Sequence, residues 1–228
     1  MYYLDNTFLI ILPGILVALF AQYRIKSTYS RYSEVMARSG FTGARVARDM
    51  LDAAGLGDVP VNRVQGTLTD HYDPIHRTLN LSESVYGSSS IAALGVAAHE
   101  CGHALQHLEG YEPLKLRSAV VPTVNIGSSL SWPIFLAGMI SGWRPLLLAG
   151  VMLFSLTVLF SLITLPVEFN ASRRAMAALE GRGYLSWEEL DGAKKVLNAA
   201  ALTYVAAALS AILNLLRLLV LARRSDRD

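Results

Sequence analysis

Charge is scarce in this chain: only 17% of its 228 residues are Asp, Glu, Lys or Arg, against roughly 25% in an average soluble domain. The deficit is local. Windows 145–167 and 196–216 contain no charged residue, and each exceeds the roughly 18–20 apolar residues that cross a bilayer. An ordinary soluble globule and a disordered chain are thereby excluded. Cysteine is nearly absent as well. The single thiol, Cys101, rules out an intramolecular disulfide and any zinc site built mainly on thiolates. The formal net charge is only +2, and no basic stripe with interleaved aromatics occurs, so nucleic acid is not an expected partner. Internal repeats and low-complexity tracts are missing too.

What the chain does have is apolar segments. Residues 8–21 form a third one, and 119–141 a fourth, softened by Asn125, Ser128, Ser129, Ser131 and two prolines. Such a composition suits a helix facing partner helices or a cavity rather than bare lipid. The residues before the first segment carry Asp5 and no Lys or Arg. A cleaved signal peptide wants a positive start, so 8–21 reads as a retained anchor. Ten of the 20 Lys and Arg lie in 24–117 and five more in 168–198. With four spans, the positive-inside bias puts both stretches in the cytoplasm and the amino end outside. The tail, with Arg223, Arg224 and Arg227, argues the other way: either the interior charges outvote it or the last helix stops short of crossing.

The expected organisation is an N-terminal span (1–23), a cytosolic segment (24–117), a transmembrane hairpin (118–167), a cytosolic helical segment (168–198), and a last span with a basic tail (199–228). The fold class is mainly α, a polytopic membrane protein with a small cytosolic α+β region. Residues 24–41 are basic and read as an interfacial helix. Thr42 is a suitable N-cap for a short amphipathic helix sharing Val46, Met50 and Leu51 on one face, with Gly55 or Gly57 as its stop. Alternation of apolar and polar residues in 59–70 and 78–81, around Asp73-Pro74, predicts a strand pair with a turn. Residues 90–108 are strongly helical, with Gly110 and Pro113 to end them.

That last helix contains His99-Glu100-Cys101-Gly102-His103. Histidines at i and i+4 share a helix face and can reach one ion. A glutamate between them lies at that face's edge, where it can take a proton from water at the metal without being a ligand. With five His and nine Glu in the chain, composition alone gives about 0.004 such motifs by chance. A catalytic zinc needs a third protein ligand and an open position. Cys101 is rotated about 200° from His99 and points into the protein. His107 continues the stripe but lies about 12 Å along the axis from His99, too far for ligands of one straight helix to converge. Glu168 directly follows span 145–167. The hairpin brings the chain back to the face it left, so His103 and Glu168 lie on one side of the membrane. The competing reading of Glu168 is an interfacial charge paired with Arg173 or Arg174. The expected set is therefore Glu100 as proton carrier and His99, His103 and Glu168 on one Zn2+ per chain.

Around this constellation, His71, Tyr72, His76, Tyr86 and Arg173 are eligible to bind substrate or stabilise an oxyanion. The strand just before the helix is a candidate for pairing with an extended peptide. The alternative function is a membrane metal-binding scaffold or metal carrier without protease activity. Carriers place ionisable ligands within their spans, whereas here only Arg217 interrupts them.

These residues resemble a known family. The runs Thr69-Asp70-His71-Tyr72-Asp73-Pro74, Leu79-Asn80-Leu81-Ser82, Val85-Tyr86 and Ala97-Ala98-His99-Glu100-Cys101-Gly102-His103-Ala104 are similar to those of the YugP-like membrane zinc metallopeptidases. Leu165-Pro166-Val167-Glu168-Phe169-Asn170-Ala171-Ser172-Arg173-Arg174 resembles that family's second block. More distantly, the layout resembles the HtpX-type membrane proteases, where a Glu on a later helix completes a His-Glu-x-x-His site. Those relatives usually carry an aspartate four residues after the ligand Glu. Ser172 stands there in this chain, which leaves Asn170 or Ser172 as the partner of a zinc histidine. The resemblance implies a gluzincin-like endopeptidase; with the charge bias, the expected setting is the inner (plasma) membrane of a bacterium, multi-pass, with the zincin-like active site toward the cytoplasm. The resemblance names no substrate; the expected partners are a peptide or membrane-protein substrate and the lipid bilayer.

Overall fold

A computed structural model describes residues 6–224, so Asp5 and Arg227 lie outside the described residues. Seven helices and three short strands occur in the order α1 (Phe8–Ser33), α2 (Gly43–Ala53), β1 (Val61–Val64), β2 (His71–Asp73), β3 (Thr78–Ser82), α3 (Glu83–Tyr86), α4 (Ile91–Leu108), α5 (Glu112–Ser141), α6 (Arg144–Gly181) and α7 (Trp187–Arg224). Two compact units divide these elements. One comprises the chain up to Gln22, Lys115–Leu165 and the part from Thr203 onward, and the other Tyr23–Leu114 and Pro166–Leu202.

The first unit is built of apolar helix. Among the described residues, α1, α5, α6 and α7 are the four helices long and apolar enough to cross a membrane. Most of each apolar window is not buried, and Leu9, Ile140, Met152 and Leu162 are exposed. Small residues let the hairpin close. A Cβ on Gly138 would collide with the Leu147 nitrogen, and one on Gly150 would meet the Phe135 Cα at 2.7 Å. The turn between α5 and α6 uses Gly142 at φ +66, the left-handed region that glycine enters without strain. Prolines 122 and 133 lie inside α5 without ending it.

The second unit holds the sheet. Its strand order is β1-β3-β2, with β3 parallel to β1 and antiparallel to β2. The expected strand pair is thus a three-stranded sheet. The strand opposite 78–81 across the Asp73-Pro74 turn is His71–Asp73 rather than the 59–70 run. The turn forms because Asp73 Oδ1 accepts from the Ile75 and His76 amides at 2.8 and 3.2 Å, and Arg77 takes φ +52. Because β3 is central, the last strand before α4 has no free edge, and the expected pairing of an extended peptide with it is excluded. The free edges are those of β1 and β2.

Burial explains the rest of this unit. Leu79 and Leu81 of β3 pack with Val46, Met50 and Leu51 of α2 and Leu94, Ala97 and Ala98 of α4 in one core. Thr42 caps α2 through a bond from the Arg45 amide, 3.2 Å, and Gly55 follows at φ +77. Ser90 caps α4 through the Ala93 amide, 3.2 Å; Gly110 at φ +65 follows the helix. Pro113 is the second residue of α5, where its missing N–H costs nothing. The basic stretch 24–41 is no separate helix: α1 runs unbroken from Phe8 to Ser33.

Candidate metal centre

The i, i+4 spacing sets the His99 and His103 rings edge to face on α4, their centroids 4.8 Å apart. From α6, the Glu168 carboxylate enters between them. Its Oε2 lies 3.2 Å from His99 Nε2 and 3.7 Å from His103 Nε2. All three donor atoms lie within 4.8 Å of one another. Tetrahedral zinc with bonds near 2.0–2.2 Å holds its ligand atoms about 3.3–3.6 Å apart. The two Glu168 distances lie close to either end of that range and all three donors fall within 4.8 Å, so these residues are of the kind and spacing that can hold a metal ion such as zinc.

Electrostatics point the same way. Glu168 is 2% exposed and His103 9%. Burial raises the Glu168 carboxyl, but bonds with His103 and His99 outweigh it and hold the group well below the usual carboxylate range. Burial lowers His103, yet the Glu168 bond and the nearby Glu100 charge carry it above the ordinary imidazole value. A buried anion facing two imidazoles is a place that demands positive charge, which a proton or a metal can supply.

The outer nitrogens of both rings are engaged. Ser172 Oγ meets His99 Nδ1 at 3.1 Å, and Gln106 Oε1 meets His103 Nδ1 at 3.0 Å. Ser172 lies one turn beyond Glu168, so one face of α6 meets both nitrogens of His99. Of the two expected histidine partners, Ser172 contacts a ring directly. Asn170 instead meets Gln106 Nε2 at 2.9 Å and Arg174 Nε at 2.7 Å.

Glu100 lies about 60–100° around the helix from the two histidines and is 9% exposed. Its Oε2 accepts from the Tyr72 amide at 3.0 Å. Opposite Tyr72, Leu79 sends its own N–H to Pro60 O on the β1 side, 3.0 Å. The Tyr72 N–H therefore points off the free edge of β2, toward α4.

Cys101 is fully buried in the core, its S–H directed at Ala47 O, 3.6 Å; burial pushes its thiol far up. His107 Nδ1 meets the Tyr72 hydroxyl at 2.8 Å, outside the triad. His71 sits on β2, bonded to Thr69 O at 2.8 Å and facing the Asn80 amide at 3.1 Å. His76 pairs with Asp73 in the turn, 2.6 Å, and Tyr86 packs on the core below. Arg173 is exposed, about 140° around α6 from Glu168. Arg174 pairs with Glu109 through two bonds of 2.6 Å.

Two residues escaped the sequence reading. Gln106 is fully buried; its signal was a lone glutamine one turn beyond His103 in an apolar helix. Gly102 is the other. A Cβ there would meet Ala171 O at 2.6 Å, so α4 and α6 cross in close backbone contact between the two histidines. Gly102→Ala adds up to about 1 kcal/mol of helix propensity, but overpacking against backbone costs about 1–3 kcal/mol. The clash wins. A lower melting temperature and zinc binding weakened at least about tenfold are expected in chelator competition; unchanged affinity would show that the crossing does not position Glu168.

A family model described as "Putative neutral zinc metallopeptidase" matches residues 7–223. The chain is 52% identical over 205 residues to a Bacillus subtilis (strain 168) protein named "Putative membrane protease YugP", covering 90% of this chain and 91% of that one. No solved structure matches it.

Proposed function

The chain belongs to this neutral zinc metallopeptidase family, and from that premise we propose that it is an integral-membrane zinc endopeptidase acting through Glu100, His99, His103 and Glu168. The observation that carries the reading is the convergence of His99 and His103 with a glutamate 65 residues beyond His103 on a buried three-donor site. His99 Nε2, His103 Nε2 and a Glu168 oxygen would hold one zinc ion per chain. A zinc ion there supplies Lewis acidity, bringing the pKa of a water toward about 7 and polarising a carbonyl.

Glu100 would take the proton of the attacking water and deliver it to the leaving amine. Its carboxylate is steadied by the Tyr72 amide, so the base is oriented by the sheet edge. Ser172 and Gln106, bonded to the outer nitrogens of His99 and His103, would hold the imidazoles in orientation for a metal ion. Hydrolysis of casein or a membrane-protein substrate by the purified protein tests this, with chelation abolishing it and zinc restoring it. Cleavage that persists at full rate in a metal-free preparation would refute the proposal.

The Lys and Arg bias places the zincin-like unit on the cytoplasmic side of a bacterial plasma membrane, with four spans. Because the native Cys101 is buried, a cysteine introduced at exposed Ala53 gives a clean signal. Ala53→Cys should react with an impermeant maleimide only in inverted vesicles; reaction in intact cells would reverse the orientation.

A further inference from the structure

Gln106 is a neutral amide with no exposed surface, and every one of its contacts constrains which way it points. Its Nε2 lies 2.8 Å from Val167 O and 2.9 Å from Asn170 Oδ1, and its Oε1 3.0 Å from His103 Nδ1. A backbone carbonyl can only accept, so the atom facing Val167 O must be the NH2 group. The Asn170 oxygen is set independently. Arg174 Nε, which can only donate, lies 2.7 Å from it, and that guanidinium is anchored by its two-bonded ion pair with Glu109. With both N–H groups of Gln106 spent on acceptors, Oε1 is an acceptor toward His103. The proton on that ring must then sit on Nδ1, which leaves the Nε2 lone pair facing Glu168 and the metal position.

The same side chain joins the two ligand-bearing helices. Val167 immediately precedes Glu168 on α6, and Gln106 lies three residues beyond His103 on α4. Resting on the zinc-site reading above, we propose that Gln106 is a positioning residue: it fixes the neutral His103 as the Nδ1–H tautomer and ties the backbone beside Glu168 to α4, with Arg174 setting the polarity of the supporting Asn170.

Two variants separate the two roles. Gln106→Met keeps the volume and removes every bond, whereas Gln106→Glu keeps an acceptor for His103 Nδ1 but replaces the amide NH2 that serves Val167 and Asn170. Histidine nitrogen NMR on metal-free, detergent-solubilised protein, at a pH where the ring is neutral, reads the His103 tautomer directly. Zinc affinity comes from chelator competition. The expected result is Nδ1–H in wild type and Gln106→Glu and a mixture in Gln106→Met, with zinc bound about 10–100-fold more weakly by Gln106→Met. An unchanged tautomer or zinc affinity within about twofold of wild type in Gln106→Met would overturn the proposal. So would an Nε2–H wild-type ring, and, should Gln106→Met not fold, loss of Nδ1–H in folded Gln106→Glu. Failure of the zinc-site reading itself would look different: wild type and His103→Ala would bind zinc alike, while the metal-free tautomer could still be read.

Discussion

Glu100→Gln should retain zinc and lose peptide hydrolysis by about two to four orders of magnitude, the usual worth of a positioned proton carrier. Glutamine keeps the volume and an amide oxygen that can still accept from the Tyr72 N–H, the bond seen at 3.0 Å. The edge of β2 and the packing of α4 therefore survive the change. What disappears is the ability to accept a proton from water and return it to the leaving amine. Since the triad consists of His99, His103 and Glu168, metal content should stay at wild-type stoichiometry. Metal analysis and casein cleavage on the same preparation separate these effects. A variant that cleaves within about twofold of the wild-type rate would remove Glu100 from the mechanism, and one that loses its zinc would make it a ligand.

The second large effect is expected at Glu168. Removing its side chain takes away one of three donors and the buried anion that opposes both imidazoles, 3.2 and 3.7 Å away. Changes behind a ligand typically cost 10–100-fold in metal affinity, so loss of a ligand itself should exceed about 100-fold. His107→Ala is the matched control. That ring bonds the Tyr72 hydroxyl at 2.8 Å and should leave zinc affinity unchanged. Circular dichroism must show both variants helical in detergent, because an unfolded chain loses metal trivially. Equal zinc affinity in Glu168→Ala and wild type, or a loss in His107→Ala as large as that in Glu168→Ala, would overturn the ligand assignment.

Periodicity and spacing were sufficient for what is local. Long apolar windows can only be buried or in lipid, and the four read from the sequence recur in the four long helices. The i, i+4 spacing brought His99 and His103 to one face of α4, and Thr42 and Ser90 cap helices because their hydroxyls can meet amides two or three residues ahead. Even the approach of Glu168 to the histidines was legible, since a tight hairpin returns a chain to the side it left. What no local rule reaches is which strand lies in the middle of a sheet, which helix backbone touches another, and which buried amide meets which ring. Alternating residues predicted strands but not that β3 would sit between a parallel and an antiparallel neighbour. Gly102 and Gln106 looked like ordinary helix residues until α6 was packed against α4, for close approach and hydrogen-bond polarity belong to pairs of elements distant in sequence. The sequence by itself determined which residues can face a metal; tertiary packing decided what holds them there, because those partners are supplied from outside the helix that carries the histidines.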